Sequence, residues 1–399
     1  MLSSWYEKFS AQPHQPFFSL GIPLLAIFTL IILGQFSDII TLNISITQFH
    51  IYPLIFMVFI QFFLGFLFVV FPRFLMQAVI KPEAYMKLFF VYALASVVYL
   101  LGLFFFKPLV FVGSLLLFGA QVWAFRILYD VFTKSIVKDK YDTKWILISY
   151  ITGMISHVLF LISYFNVSIF LEKLAIYSGF YLFLFSLIFA ISQRMIPLFT
   201  GVKVPSYVKS KSKYIMEIIF VLLTLKVATL LMDDPRLNII ADLPLFVFFT
   251  YELVFKWKLP ISKVTSIVWI LYLALAWIPV GFLISTIESL GYIFSSNPLF
   301  FEKSVIHTFA IGYFITILVG FGTRVVLGHS GRTPTADAIA LFMFIFIQLI
   351  VLVRIFAGLT INFGFDYIFW INASAALLVI ALLAWSSRYL GILVKGYKA

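Results

Sequence analysis

The amino-acid sequence is a succession of apolar runs, each roughly 18 to 22 residues long and bounded by proline, glycine or charged residues. A helix of that length crosses a hydrocarbon core of about 30 Å. In lipid the backbone has to satisfy its own hydrogen bonds, which a helix does within each segment, and the runs lack the alternation of short membrane strands. The pattern therefore predicts an all-α, polytopic integral membrane protein.

We count about twelve transmembrane helices from these runs. The composition agrees, because 63% of the 399 residues are hydrophobic and 11% are charged, whereas charged residues make up about a quarter of a soluble domain. No segment between the runs is long enough to bury a separate core, so residues 1–399 are predicted to form a single transmembrane domain. The predicted spans are residues 17–37, 51–71, 87–106, 109–131, 145–165, 172–193, 214–232, 238–255, 264–286, 303–323, 337–357 and 367–387.

The basic residues indicate the orientation of the spans, because cytoplasmic loops carry an excess of lysine and arginine. With a cytoplasmic amino terminus, 22 of the 28 basic residues lie on the cytoplasmic side, and two, Lys226 and Arg354, lie within spans. The opposite side holds only Lys107, Lys173, Arg236 and Lys303. This asymmetry predicts that the N-terminus and the C-terminus are both cytoplasmic and that the number of spans is even.

The net charge and the cysteine count limit the kinds of partner and metal site that this chain can have. A net charge of +12 would suggest a nucleic-acid partner in a soluble protein, but here the basic residues act as topology signals, so the predicted partner is the lipid bilayer and not nucleic acid. The chain has no cysteine, which excludes disulfides, thiolate metal sites and iron–sulfur ligation. No Walker motif, dinucleotide-binding glycine pattern or HExxH motif occurs. Histidine is therefore the only soft nitrogen ligand that this chain offers.

Three of the five histidines lie at similar depth in the predicted outer halves of three different spans, and they are His50, His157 and His307. Imidazole nitrogen is the commonest protein ligand for haem iron and copper. A metal or haem site between helices would use such a set, with His50 and His307 as its leading ligands. The alternative is that each histidine only hydrogen-bonds to a neighbouring helix.

A second set lies at predicted cytoplasmic ends of spans and consists of His14, Arg73, Arg194, Arg324, His329 and Arg332. Bidentate arginine contacts could hold an anionic group there, such as haem propionates or a substrate carboxylate. The glycines of segment 328–332 permit a turn that brings a histidine and an arginine together. Alternatively, the arginines are anchors that face phospholipid. His329 is a separate metal candidate, because about 30 Å of helix separates it from His307.

Charged residues inside membrane spans are candidates for function, because burying them is costly. Lys226 lies near the middle of the seventh span and Arg354 near the outer end of the eleventh. Lys226 would serve a proton or ion path, or it would form a structural pair with Asp242 or Glu252 of the next span.

Four sequence segments, in order over nearly the whole chain, match the motifs of one known family. They are Pro13-His14-Gln15-Pro16-Phe17-Phe18; His50 followed by Gly65-Phe66-Leu67 and Pro72; Arg194-Met195-Ile196-Pro197-Leu198-Phe199-Thr200; and His307-Thr308-Phe309-Ala310-Ile311-Gly312 with Arg324 and Gly328-His329-Ser330-Gly331-Arg332. The last segment is the most specific. With these segments the chain resembles the NnrS family of bacterial inner-membrane proteins.

The resemblance implies a multi-pass protein of the bacterial inner membrane that contains haem and copper and acts in the response to nitric oxide or in low-oxygen respiration. Nitric oxide or an electron donor would be its partner. One departure concerns the second span, which begins HAHEM in the family and His50-Ile51-Tyr52-Pro53 here. Two potential ligands of the outer site are therefore replaced, so the resemblance implies haem more strongly than copper.

Two other classes fit the same residues. In a secondary transporter, Lys226, Arg354 and the histidines would bind substrate and protons. In a membrane assembly factor, no metal would be bound. The sequence does not decide whether the protein is an enzyme.

Overall fold

The computed structural model describes residues 2–396, with side chains from Ser4 to Gly396. Lys398, one of the 22 basic residues predicted to lie on the cytoplasmic side, lies outside the described residues. Residues 2–396 form helices and loops and no strand. The prediction of an all-α, polytopic membrane protein is confirmed.

Eleven helices in the described part of the chain are long and apolar enough to cross a membrane. A short helix, α1 (Leu2–Phe9), precedes them. The first six are α2 (His14–Phe36), α3 (Thr47–Phe74), α4 (Pro82–Phe104), α5 (Pro108–Lys134), α6 (Tyr141–Ser163) and α7 (Ile169–Lys203). After α8 (Ile215–Leu231) follow α9 (Pro235–Trp257), α10 (Ser266–Phe294), α11 (Ser304–His329), α12 (Ala338–Phe363) and α13 (Tyr367–Lys395).

Helix α8 corresponds to the predicted seventh span and has 17 residues. At 1.5 Å per residue it is about 26 Å long, slightly shorter than a hydrocarbon core. It ends before a tight turn in which Asp234 Oδ1 accepts a hydrogen bond from the backbone nitrogen of Arg236, at 3.0 Å. The turn leads directly into α9. The described part of the chain thus has eleven helices of spanning length, and one shorter helix, α8, at the position of the predicted seventh span.

The chain folds into two compact units, and three of the helices pass from one to the other along the chain. The first unit runs from the amino terminus to Leu187 and adds Val325–Thr333 and the chain from Leu382 onward. The second unit consists of Ile188–Arg324 and Pro334–Ala381.

In the first unit α4 packs closely against α5, and α2 packs against α3. Glycine permits the first contact, because a Cβ atom at Gly113 would lie 2.8 Å from the backbone nitrogen of Tyr99. Small residues allow this approach in membrane proteins, where helix association depends on van der Waals packing. Helix α6 packs against α5 and against the first half of α7.

In the second unit α10 packs against α9 and α11, and α8 packs against α9. The α10–α11 contact also depends on glycine, because a Cβ atom at Gly281 would lie 2.5 Å from the ring of Phe309. Phe309 in turn lies 4.7 Å from the ring of Phe282. These contacts hold α11 along its first half.

Several helices contain π-helical segments, which lie at Thr47–Ile51, Leu54–Val58, Ser178–Phe185, Tyr251–Trp257 and Thr308–Ile315. Such segments are rare and occur frequently at functional sites, because they rotate the side chains that follow. His50 lies in the first segment, Tyr52 lies between the first two, and His307 directly precedes the last. No sequence pattern predicted these π-helical segments.

Candidate functional site

His307 and His50, the leading predicted ligands, lie in different compact units and are both half-buried. His307 Nδ1 lies 2.8 Å from the backbone oxygen of Lys303. A carbonyl oxygen can only accept, so Nδ1 carries the proton and Nε2 carries the lone pair. Metal-ligating histidines typically donate one ring N–H to a carbonyl or carboxylate in this way. This tautomer leaves Nε2 of His307 without a proton.

His157 is fully buried in α6, and protein groups engage both of its ring nitrogens. Nδ1 lies 2.6 Å from Oε1 of Gln121, and Nε2 lies 2.6 Å from the hydroxyl of Tyr52. The sequence pattern predicts His157 as a ligand in a shared outer site. The structure instead gives it two hydrogen bonds, so no nitrogen lone pair of His157 is directed to a metal here.

Tyr52 occupies the position where the family motif has its second histidine, and its side chain is 1% exposed. Besides His157, its hydroxyl lies 3.5 Å from the backbone oxygen of Ser114. Its ring stacks on that of Tyr99 at 5.3 Å and 12°. The sequence showed that a ligand had been replaced, but it did not show which residue the new hydroxyl would bind.

His14 and His329 come together in the first unit, with ring centroids 4.7 Å apart and an interplanar angle of 40°. His14, in the first turn of α2, is completely buried, whereas His329, at the end of α11, is partly exposed. Sequence reasoning placed both residues on one membrane face. Only the structure brings the two imidazoles into contact.

Gly65 in α3 has no side chain, which leaves space for the buried His14 to pack against α3. A Cβ atom at Gly65 would lie 2.8 Å from the ring of Phe18 and 3.1 Å from the Cα atom of His14. The ring of Phe18 lies edge-on to His14, at 6.1 Å and 71°. The family motif that contains Gly65 thus corresponds to a close contact between α3 and the first turn of α2.

The predicted arginines differ in their surroundings. Arg324 lies over the ring of Phe199, with Cζ 3.9 Å from the ring centroid. Its Nη1 atom is buried and has no hydrogen-bond partner among the described residues. Arg194 is half-buried, while Arg332 is exposed after a turn in which Gly331 has a φ of +70°. Arg324 is therefore the arginine best placed to hold an anion.

Lys226 forms a buried ion pair with Asp242, with Nζ 2.7 Å from Oδ2. The hydroxyl of Ser285 donates to the same carboxylate oxygen. The predicted pairing of Lys226 with an acidic residue of the next helix is confirmed for Asp242. Glu252, the other candidate, instead accepts a hydrogen bond from the backbone nitrogen of Ser212, at 3.3 Å.

Arg354 is buried, with 5% of its surface exposed. Tyr367 and Glu302 both interact favourably with its positive charge. Its guanidinium group is thus held by neighbouring helices and loops of the second unit.

Among the side chains that the structure describes, no three histidine, aspartate or glutamate residues form a group that could hold a metal ion. Any metal centre built by these residues within one unit therefore has at most two such ligands, as at His14 and His329. Sequence reasoning missed Gln121 and Ser285. Both are polar residues inside apolar helices, which is a signal, but their partners depend on how the helices pack.

Comparison with known proteins agrees with this picture. No curated protein matches the sequence significantly. The sequence model of the NnrS protein family matches residues 8–396, which is nearly the whole chain and includes all four motif segments. The chain therefore belongs to the NnrS family, a family of membrane proteins related to nitric oxide.

Proposed function

We propose that this protein binds haem and acts in the bacterial inner membrane in the response to nitric oxide or in low-oxygen respiration. The observation that carries the proposal is the 2.8 Å distance between His307 Nδ1 and the Lys303 carbonyl oxygen, which implies that Nδ1 bears the proton. With the proton on Nδ1, His307 would hold haem iron through Nε2. Haem iron, when bound, supplies a coordination position for a diatomic gas.

Arg324 fits the anionic part of a cofactor or substrate. Its guanidinium stacks on Phe199 and keeps a buried Nη1 atom for which no partner is described. A carboxylate such as a haem propionate would satisfy that donor. Because Arg324 follows His307 by 17 residues, or about 25 Å of helix, the two residues would serve different groups.

The His14–His329 pair fits a single metal ion better than a haem. Carbon atoms pack at about 3.5–4.0 Å, so two rings at 4.7 Å leave no layer for a planar macrocycle between them. An ion bound at about 2.0–2.1 Å from one nitrogen of each ring needs much less space. Two imidazoles suit copper, whereas calcium and magnesium take oxygen ligands. We propose this pair as the copper site, and we keep His50 as a further candidate ligand.

A visible absorption spectrum with metal analysis tests the proposal. The protein would be expressed with haem supplied and purified in detergent. A Soret band that is lost in His307→Ala and retained in Lys138→Ala, an exposed position outside the candidate site, is the expected result. Pure, monodisperse protein without stoichiometric haem or metal would overturn the proposal and favour an assembly factor.

The buried Lys226–Asp242 pair supports a second candidate function, proton-coupled transport. The second carboxylate oxygen, Asp242 Oδ1, is buried without a hydrogen-bond partner among the described residues, and intramembrane ion pairs often belong to proton paths. Substrate-dependent uptake into liposomes that survives loss of His50 and His307 but not of Lys226 would favour this function. Uptake unaffected by Lys226→Met would exclude this role for the pair.

A further inference from the structure

Tyr52 and His157 form a short hydrogen bond deep in the first unit. The hydroxyl oxygen lies 2.6 Å from Nε2, and the two side chains are 1% and 0% exposed. A phenol next to an imidazole is a proton donor next to a base. The pair therefore has the parts needed to move a proton over one hydrogen bond.

Gln121 fixes the direction of this hydrogen bond. Its Oε1 atom lies 2.6 Å from His157 Nδ1, so Nδ1 carries the hydrogen that makes this contact. The lone pair is then on Nε2, and the hydroxyl of Tyr52 donates to it. The same Oε1 atom would stabilise the positive charge of an imidazolium, because a hydrogen bond from a charged donor is stronger than one from a neutral donor.

Aromatic rings enclose the His157 imidazole. Phe56 stacks on it at 4.2 Å, and Phe118 and Phe160 lie close to the histidine or the tyrosine. They hold the imidazole in place. Beyond Gln121 no further acceptor in the described network would carry a proton onward, so a proton that reaches His157 can return to Tyr52.

A small polar cavity gives access to Tyr52 from the start of α3. Its volume is about 100 Å³, enough for several water-sized molecules. Its lining also includes Thr47, Gln48, Tyr164 and Glu172. A molecule of two or three atoms can therefore lie next to Tyr52 in this cavity.

We propose that Tyr52 is a redox-active tyrosine that gives one electron to a small radical oxidant of the nitrogen dioxide type, while His157 takes its proton. The O–H bond of Tyr52 breaks and an N–H bond forms at His157 Nε2. The electron passes to the oxidant, which is reduced to its anion. A neutral tyrosyl radical and an imidazolium remain, so charge and atoms balance.

Neighbouring tyrosines lack this arrangement. Tyr99 stacks on Tyr52 and is also buried, but its hydroxyl donates to the backbone oxygen of Gln48, at 2.5 Å. Tyr164 has its hydroxyl 3.0 Å from that of Ser114. A carbonyl or a serine hydroxyl is a far weaker base than imidazole, so oxidation of these two tyrosines would leave the proton without an acceptor.

Freeze-quench electron paramagnetic resonance on the full-length protein tests this proposal. Nitrogen dioxide would be generated by pulse radiolysis of nitrate, and ring-deuterated tyrosine would identify a tyrosyl signal. Loss of most of the signal in Tyr52→Phe, with retention in the matched variant Tyr99→Phe, is the expected result. His157→Gln should also reduce the signal, because an amide cannot take the proton. The experiment needs no haem, so its outcome does not depend on whether the protein binds haem as proposed above.

An absent tyrosyl signal in the wild-type protein, or an undiminished signal in Tyr52→Phe, would overturn the proposal. If Tyr52→Phe does not yield monodisperse protein, the radical can be located in the wild type. Nitric oxide added after oxidation combines with tyrosyl radicals, and peptide mass spectrometry then identifies the modified residue. Modification of Tyr52 supports the proposal, and modification of other tyrosines without Tyr52 contradicts it.

Discussion

Lys226 Nζ lies 2.7 Å from Asp242 Oδ2, and the two side chains are 2% and 0% exposed. The pair links α8 to α9, and Ser285 adds a hydroxyl from α10. A charge at this depth is tolerable only because its partner is present. Helix α8 is therefore tied to its neighbour by a fully buried ion pair.

Replacing Lys226 by methionine should destabilise the protein by about 3–5 kcal/mol, because Asp242 would keep an uncompensated buried charge. Thermal unfolding in detergent measures the change. The double variant Lys226→Met, Asp242→Asn should recover most of the loss. As a control, Lys134→Met breaks the exposed pair with Asp130 and should change little, since exposed ion pairs contribute little. Equal losses in the two single variants would contradict the structural role of the buried pair.

Replacing Gly65 by alanine should destabilise the protein by about 1–3 kcal/mol, the usual effect of overpacking. The new methyl group would meet the ring of Phe18 and the backbone of His14. The matched control is Gly119→Ala, because a Cβ atom there meets nothing within 4 Å. Unfolding in detergent would compare the two variants. A Gly65→Ala protein as stable as Gly119→Ala would show that the contact between α2 and α3 is looser than described.

Replacing either His14 or His329 by alanine should reduce bound copper to background, because the pair supplies only two imidazoles and either loss removes half of the ligands. Metal analysis after equilibration with copper and removal of the excess measures this. Ser330→Ala provides a control next to His329, since the Ser330 hydroxyl only contacts the backbone oxygen of Leu327. Copper retained by both histidine variants would exclude this site.

Single-cysteine labelling in intact cells tests the predicted orientation, because the natural chain has no cysteine background. Phe105 and Ile136 are 81% and 94% exposed and lie in successive loops on opposite predicted sides. An impermeant maleimide should label Phe105→Cys in intact cells and Ile136→Cys only after lysis. The reverse pattern would place the termini outside.

The same reagent decides whether α8 crosses the membrane. Val208 and Met232, on either side of α8, are 82% and 63% exposed. We expect labelling of Met232→Cys in intact cells and of Val208→Cys only after lysis. Labelling of both under the same condition would mean that α8 does not span, and then the carboxyl terminus would lie on the other side.

Much of the architecture was predictable because its cause is local. An apolar run of sufficient length becomes a helix in lipid, since only intrasegment hydrogen bonds satisfy its backbone there. The predicted pairing of Lys226 with the next span also held, because a buried lysine requires an acidic partner within reach. The family was identifiable for a similar reason, because motifs such as segment 324–332 are contiguous in sequence.

The partners of the polar side chains were decided only by the tertiary structure. Which residue a buried side chain meets depends on the rotation of each helix about its axis, and π-helical segments such as Thr47–Ile51 change that rotation without a sequence signal. Sequence alone therefore predicted that Tyr52 stands where the family motif has a histidine and that His14 and His329 lie on one membrane face. Packing decided that Tyr52 donates to His157, and that the two other imidazoles meet at 4.7 Å.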